Sequence, residues 1–173
     1  MLPEQFCVRM KEMLGEEYAA FYASYDLPKY QALRINPLKT ERDTFLLQAP
    51  FSLNRVPWTT NGYYYSGNDQ PGRHPYHEAG VYYIQEPSAM APAEYLMAEP
   101  GERILDLCAA PGGKSSQIAC SMQGEGLIVC NEIHPARAKI LSENIERMGV
   151  CNALVTNETP QKLSDLSLIH ISE

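Results

Sequence analysis

The second half of the chain alternates short apolar segments with amphipathic ones, and this alternation constrains the fold more than any other feature. Apolar strands are predicted at residues 103–108, 127–130 and 153–156, with helices between them at 114–122 and 135–148. A strand–helix–strand–helix–strand order is typical of right-handed crossovers and of a parallel sheet with helices on both faces. We therefore predict an α/β fold with about three parallel strands in this half.

The first half lacks that regular alternation. Apolar residues recur at helical spacing in two short stretches, which Gly15 separates and Pro28 ends, and residues 31–36 are predicted as a strand before Pro37. The following region is rich in proline and glycine, which indicates long loops. We predict a small α+β module over residues 1–78, the parallel-sheet domain over 79–165 and a separate tail over 166–173.

Composition and charge limit the classes of protein that the chain can represent. Hydrophobic residues make up 45% and charged residues 20%, and no apolar run is long enough to span a membrane, so we expect a soluble protein. Charged residues interrupt the apolar pattern of the first turns, unlike a signal or transit peptide, and a cytoplasmic location follows. The net charge of −7 argues against a strongly basic nucleic-acid binder, but residues 29–55 hold five basic and two acidic side chains. That basic stretch is the candidate RNA surface.

The cysteines and histidines do not indicate a metal site. Five cysteines are present, none of them in a CxxC pair or beside a histidine at zinc-ligand spacing. Three of them, Cys108, Cys120 and Cys130, fall in apolar segments, where a free cysteine usually behaves as a small buried side chain. We expect reduced thiols and no bound metal.

The loop after the first parallel strand, CAAPGGK at residues 108–114, is the candidate ligand site. Ligands of open parallel sheets bind beyond the carboxyl ends of the strands, and the small residues and glycines of this loop would let its backbone approach a ligand. A phosphate P-loop requires a glycine where Cys108 stands, and a dinucleotide GxGxxG motif is absent. S-adenosylmethionine remains as the third candidate, because Glu132 at the end of the second strand could hold its ribose hydroxyls.

Four segments carry a close resemblance to a known family: LRINPLK, QEPSAMAPAEYL, CAAPGGKSSQIA and NEIHPARAKILSENIERMG. They resemble the RNA 5-methylcytosine methyltransferases of the RsmF/NSUN type, and the resemblance extends from Leu33 to about Leu163. It implies a Rossmann-like class I methyltransferase fold, here incomplete, with S-adenosyl-L-methionine as cofactor and an N-terminal module that positions RNA.

The resemblance also implies roles for particular residues. The cofactor-binding positions that it matches are Cys108, Ala109, Ala110, Pro111, Gly112, Gly113, Lys114, Glu132 and Arg137. Beyond the third strand, either Asn157 or Glu158 could contact adenine, and we select Asn157. The segment that helps position RNA matches Arg34, Asn36 and Lys39, although two basic residues beside a proline also fit an ordinary strand end.

The expected activity is methylation of cytosine to 5-methylcytosine in small-subunit ribosomal RNA, with transfer RNA as the second candidate substrate. In this family two cysteines after the fourth and fifth strands perform the catalysis, so we expect them beyond the end of this chain and assign no catalytic role to Cys108 or Cys130. The final residues, SLIHISE, depart from the expected lead-in to a fourth strand. We therefore expect an inactive, truncated monomer, with a non-catalytic module that binds S-adenosylmethionine or RNA as the alternative.

Overall fold

The structure, a computed structural model, describes residues 2–170, with the side chains through residue 165. Of the tail predicted at 166–173, residues 171–173 and the remaining side chains lie outside the described part. The chain divides into two compact units, Met1–Tyr30 and Gln31–Glu173.

The smaller unit is a pair of short helices, as the periodicity predicted. Helix α1 spans Glu4–Leu14 and helix α2 spans Tyr18–Ala23, and one-turn 3-10 helices follow each of them. Aromatic side chains of the two helices pack on one another: the ring centroids of Phe6 and Phe21 are 6.2 Å apart, and those of Phe21 and Tyr25 are 5.3 Å apart. No residue of either helix is fully buried, so these aromatic rings provide most of the apolar packing of this unit.

The larger unit begins with an antiparallel sheet of four strands in the order β2-β3-β1-β4. Its elements are β1 (Ala32–Ile35), α3 (Arg42–Gln48), β2 (Leu53–Arg55), β3 (Gly62–Tyr65), α4 (Pro75–Glu78) and β4 (Tyr82–Ile84). The boundary predicted at residue 78 falls before β4, whose residues pair with β1. The first sheet therefore extends past the predicted boundary and belongs to the same unit as the parallel sheet.

Strand β1 is buried on both of its faces. Leu33 and Ile35 pack with Phe45 and Tyr82 in the core of the antiparallel sheet. Because side chains alternate along a strand, Arg34 and Asn36 point to the opposite face, and they are only 2% and 0% exposed. A polar pair is therefore buried where the antiparallel sheet meets the rest of this unit.

The remainder of the unit confirms the predicted parallel sheet, with strand order β5-β6-β7. Its elements are α5 (Ala91–Leu96), β5 (Arg103–Asp106), α6 (Gly113–Met122), β6 (Leu127–Asn131), α7 (Pro135–Arg147), β7 (Ala153–Thr156) and α8 (Pro160–His170). Ile118, Met122, Ile128, Leu141 and Ile145 form its main core with neighbouring alanines. Among residues 2–170, no helix is long and apolar enough to cross a membrane.

The turn at Gly80 joins the antiparallel sheet to the end of α7. Gly80 has a φ of +70°, and a Cβ atom there would lie 2.0 Å from the carbonyl oxygen of Arg147. The Asn36 side chain donates hydrogen bonds to the carbonyl oxygens of both Gly80 and Met148, each at 2.8 Å. The close approach of the two backbones therefore depends on the absence of a side chain at residue 80.

We predict that Gly80→Ala lowers the free energy of unfolding by about 3 kcal/mol or more, because left-handed strain and a backbone clash act together. Gly101→Ala is the matched control: Gly101 has a φ of +88° with no atom near the added Cβ, so only the strain of about 1–2 kcal/mol remains. Urea denaturation followed by circular dichroism measures both values. Equal losses for the two variants would contradict the predicted contact.

Candidate functional site

The Asp106 carboxylate forms hydrogen bonds to residues at both ends of the loop between β5 and α6. One carboxylate oxygen of Asp106 accepts a hydrogen bond from the backbone N–H of Cys108 at 3.2 Å, and the other accepts the Ser115 hydroxyl at 2.7 Å. The backbone N–H of Ala109 donates to the carbonyl oxygen of Asn131 at 2.8 Å, which ties the loop to the end of β6. The last residue of the first parallel strand therefore shapes the loop that follows it.

The carbonyl oxygens of the loop are held by side chains from other elements. Arg137 on α7 donates to the carbonyl oxygen of Ala110 at 2.8 Å, and Asn144 on the same helix donates to that of Pro111 at 2.8 Å. Arg34 on β1 donates to the carbonyl oxygen of Gly113 at 2.7 Å. These contacts fix the loop from both the helix side and the antiparallel-sheet side.

The two glycines of the loop are packed against the protein itself. Gly112 has a φ of +108°, and a Cβ there would lie 3.2 Å from the Leu141 side chain. At Gly113 an added Cβ would lie 3.3 Å from the ring of Tyr83. The sequence led us to expect that these glycines make room for a ligand. In the direction of an added Cβ the space is filled by the protein itself, by α7 at Gly112 and by β4 at Gly113, and a ligand contact at either glycine stays a prediction.

Glu132 lies at the carboxyl end of β6, next to the loop. Its side chain is 3% exposed, and one carboxylate oxygen forms an ion pair with Arg137 at 3.0 Å. The other oxygen accepts the backbone N–H of His134 at 3.0 Å. Arg137, whose side chain is 53% exposed, therefore bridges the Glu132 carboxylate and the carbonyl oxygen of Ala110.

Asn131 is a structural residue of the site that the sequence analysis missed. It is 1% exposed, and its amide nitrogen donates to the carbonyl oxygens of Leu107 and Glu158. Its amide oxygen accepts the Thr156 hydroxyl and the backbone N–H of Glu158. Asn131 thus joins the segments that leave all three parallel strands, a role that only its central position in the sheet reveals.

The predicted cofactor-binding residues lie together around the ends of β5 and β6 and differ in exposure. Cys108, Pro111, Lys114, Arg137 and Asn157 are exposed, Gly113 is half-buried, and Ala109, Ala110, Gly112 and Glu132 are buried. The amide of Asn157 donates to the backbone carbonyl oxygen of Glu132 at 2.6 Å, which brings the end of β7 to the same place. The predicted set is therefore contiguous in space.

The predicted RNA-contacting residues do not share a surface. Arg34 and Asn36 are buried, and their polar atoms bond to partners inside the larger unit, so the structure contradicts an RNA contact for both. Lys39 is exposed, as expected. The alternation of side chains along β1 explains the error, because the polar face of this strand meets helices instead of solvent.

The cysteines in the parallel-sheet half differ in their burial. Cys120 and Cys130 are buried, and burial raises the pKa of both thiols, that of Cys130 to about 11. Cys108 is exposed, in contrast to the buried position that its apolar neighbours predicted, and Cys151 is exposed as well. Among the described residues, no group of three histidine, cysteine or acidic side chains could hold a metal ion.

The start of α6 and the Glu132 carboxylate lie beyond the ends of the adjacent strands β5 and β6. Among the described residues, no side chain caps α6, so its first backbone N–H groups keep their hydrogen-bonding capacity. The parallel pairing of Asp106 with Cys130 sets the ends of β5 and β6 side by side, which brings Glu132 next to the loop. Carboxylates accept hydrogen bonds from sugar hydroxyls, so this pair of features suits a nucleoside.

Known proteins share both this fold and these segments. Two relatives are ribosomal RNA small subunit methyltransferase F of Photobacterium profundum, 35% identical over 167 residues, and that of an Enterobacter species, 37% identical over 166 residues. Each match covers 90% of this chain and 35% of the relative, so the chain spans about a third of their length. A solved methyltransferase homolog protein from Pyrococcus horikoshii has a TM-score of 0.83 and 28% identity over 96% of this chain and 56% of its own. This likeness confirms the predicted methyltransferase fold.

Family models account for nearly all of the described residues. The N-terminal domain of 16S rRNA methyltransferase RsmF matches residues 2–87, and 16S rRNA methyltransferase RsmB/F matches residues 93–169. The second match contains the whole loop after β5, Glu132 and Arg137. The chain therefore belongs to the RsmB/RsmF family of 16S rRNA methyltransferases.

Proposed function

We propose that the loop after β5, together with Glu132, forms the binding site for S-adenosyl-L-methionine, the cofactor of this methyltransferase family. The observation that carries this proposal is the buried carboxylate of Glu132, 3.0 Å from Arg137, beside a helix start that no described side chain caps. Glu132 would accept the ribose hydroxyls, and the first backbone N–H groups of α6 would bind the carboxylate of the methionine part.

Two carboxylates and two cationic side chains belong to the candidate site. Asp106 and Glu132 lie at the ends of adjacent strands, Arg137 pairs with Glu132, and Lys114 belongs to the loop. These formal charges balance, so the fit to the cofactor depends on the Glu132 carboxylate as an acceptor of sugar hydroxyls. The remaining proposed contacts come from Cys108 to Lys114 in the loop and from Asn157, which would meet the adenine from the end of β7. Arg137 would hold both Glu132 and the carbonyl oxygen of Ala110 in place.

We propose further that the protein from which the chain derives methylates the C5 position of cytosine in small-subunit ribosomal RNA, in the cytoplasm. When bound, the cofactor supplies an electrophilic methyl group. Cys108, Cys120 and Cys130 are not proposed as the nucleophile, because Cys120 and Cys130 are buried with raised pKa values and Cys108 belongs to the cofactor loop. We expect this chain by itself to be inactive.

Ribosomal RNA is favoured over transfer RNA because both family models and the curated relatives are ribosomal RNA methyltransferases. The RNA contacts proposed in the larger unit are the exposed basic side chains of the 29–55 stretch, which are Lys39, Arg42 and Arg55. Arg34 is excluded from this surface by its burial. Cationic side chains of this kind would contact phosphates and position the RNA without reading its sequence.

We predict that Glu132→Gln weakens binding of S-adenosyl-L-methionine by about tenfold to a hundredfold, because it removes charge-assisted hydrogen bonds to the ribose. Glu143→Gln is the matched control, since Glu143 lies on the exposed side of α7 with Lys139 at 3.9 Å. Titration calorimetry on the full chain measures the dissociation constants. Equal affinities for the two variants would remove Glu132 from the site, and absence of heat with the unaltered chain would refute the proposed function.

Cysteine labelling gives a second, independent test. We predict that S-adenosyl-L-methionine slows alkylation of Cys108 but not of Cys151, which is also exposed and precedes the opposite, amino-terminal end of β7. Cys120 and Cys130 should stay unlabelled at about pH 8, because burial keeps their thiols protonated. Mass spectrometry of peptides resolves each site. Equal protection of Cys108 and Cys151 would argue against a ligand at the loop.

A further inference from the structure

The Arg34 guanidinium donates most of its hydrogen bonds to the start of α6. One terminal nitrogen donates to the carbonyl oxygen of Gly113 at 2.7 Å and to Gln117 at 3.1 Å, and the other donates to the Ser116 hydroxyl at 2.8 Å. The first nitrogen also donates to Gln85 at 3.1 Å, within the antiparallel sheet. Three of the four acceptors therefore belong to the first turns of the helix that follows the candidate cofactor loop.

In the part of the chain that the structure describes, no carboxylate is hydrogen-bonded to this buried positive charge. Arg34 is 2% exposed, and burial lowers its pKa, against the smaller effects of Cys120, Tyr83 and Glu94. The Tyr83 ring lies 5.7 Å from the guanidinium carbon. Among the described residues, the remaining nitrogen, Nε, has no hydrogen-bond partner. A buried ion costs more than an apolar side chain of similar size, so packing alone does not account for an arginine at this position.

We propose that Arg34 is a positioning residue of the cofactor site, which fixes the first turn of α6 and hence the backbone N–H groups that border the loop. The inference rests on the proposed function, because it concerns the same loop. A planar guanidinium suits this role, since its two terminal nitrogens reach Gly113 and Ser116 at the same time. Arg137 and Asn144 hold the carbonyl oxygens on the other side of the loop.

Asn36 provides a control that distinguishes a positioning role of Arg34 from a general contribution to stability. It lies on the same face of the same segment and is 0% exposed, yet its amide nitrogen bonds to the carbonyl oxygens of Gly80 and Met148. The Asn36 amide oxygen accepts the Cys120 thiol near the end of α6, and none of these partners belongs to the cofactor loop or to the first turn of α6. Loss of the Asn36 side chain should therefore lower stability without changing the loop.

The test compares Arg34→Lys with Asn36→Ala in the full chain, with two readouts at a temperature where both variants are folded. The first is amide hydrogen exchange of residues 116–119 without ligand, whose N–H groups bond to the carbonyl oxygens of the first turn of α6, and the second is the dissociation constant of S-adenosyl-L-methionine by calorimetry. For Arg34→Lys we expect about tenfold faster exchange and about tenfold weaker binding, because one ammonium group cannot bond to both acceptors. For Asn36→Ala we expect a lower denaturation midpoint, with both readouts within about twofold of the unaltered chain.

Unchanged exchange at residues 116–119 in Arg34→Lys would overturn the inference, as would an equal loss of affinity in Asn36→Ala. If Arg34→Lys does not fold, Ser116→Ala replaces it, because that change removes one acceptor and leaves the buried charge intact. An effect on exchange confined to residues 116–119 would support the inference, and no effect would overturn it. Failure of the unaltered chain to bind S-adenosyl-L-methionine would refute the proposed function. The ligand-free exchange would still decide the role of Arg34.

Discussion

The buried guanidinium of Arg34 joins the antiparallel sheet to the helix that follows the first parallel strand. Its hydrogen bonds to Gly113, Ser116 and Gln117 leave α6 little freedom to rotate relative to β1. Asn36 adds a second polar link, from the same strand to the end of α7. Because buried polar groups are costly when they lose their partners, these contacts disfavour any other packing of the two sheets in this unit.

The candidate site follows from this packing and from the parallel pairing of β5, β6 and β7. Parallel strands carry their following segments to one edge, and Asn131 bonds to the segments that leave β5 and β7. The loop carbonyl oxygens then bond to α7 and to β1, while the backbone N–H groups at the start of α6 keep their capacity for a ligand. A preorganised loop of this kind loses little conformational entropy when a cofactor binds.

Particular residues show how far sequence patterns predicted this structure. The alternation of segments predicted all three parallel strands, and the CAAPGGK loop and Glu132 proved to be neighbours. The patterns failed where the role of a residue depends on which distant element packs against it. Arg34 and Asn36 belong to a segment that was predicted to contact RNA, yet both side chains are buried. Gly112 and Gly113 also pack against Leu141 and Tyr83, which the sequence did not indicate, while their predicted contact with a ligand stays a prediction. Asn131 had no local signal at all.

The sequence by itself determined the order of the elements, the family and the position of the loop along the chain, because periodicity and short motifs are local properties. Only the tertiary structure decided which side chains reach that loop. Arg34 lies on a strand far from the loop in sequence, and its role depends on distances of 2.7 and 2.8 Å to the start of α6. Hydrogen bonds and burial between distant segments produce no recognisable pattern of residue spacing in the sequence, since they arise only when two elements pack together.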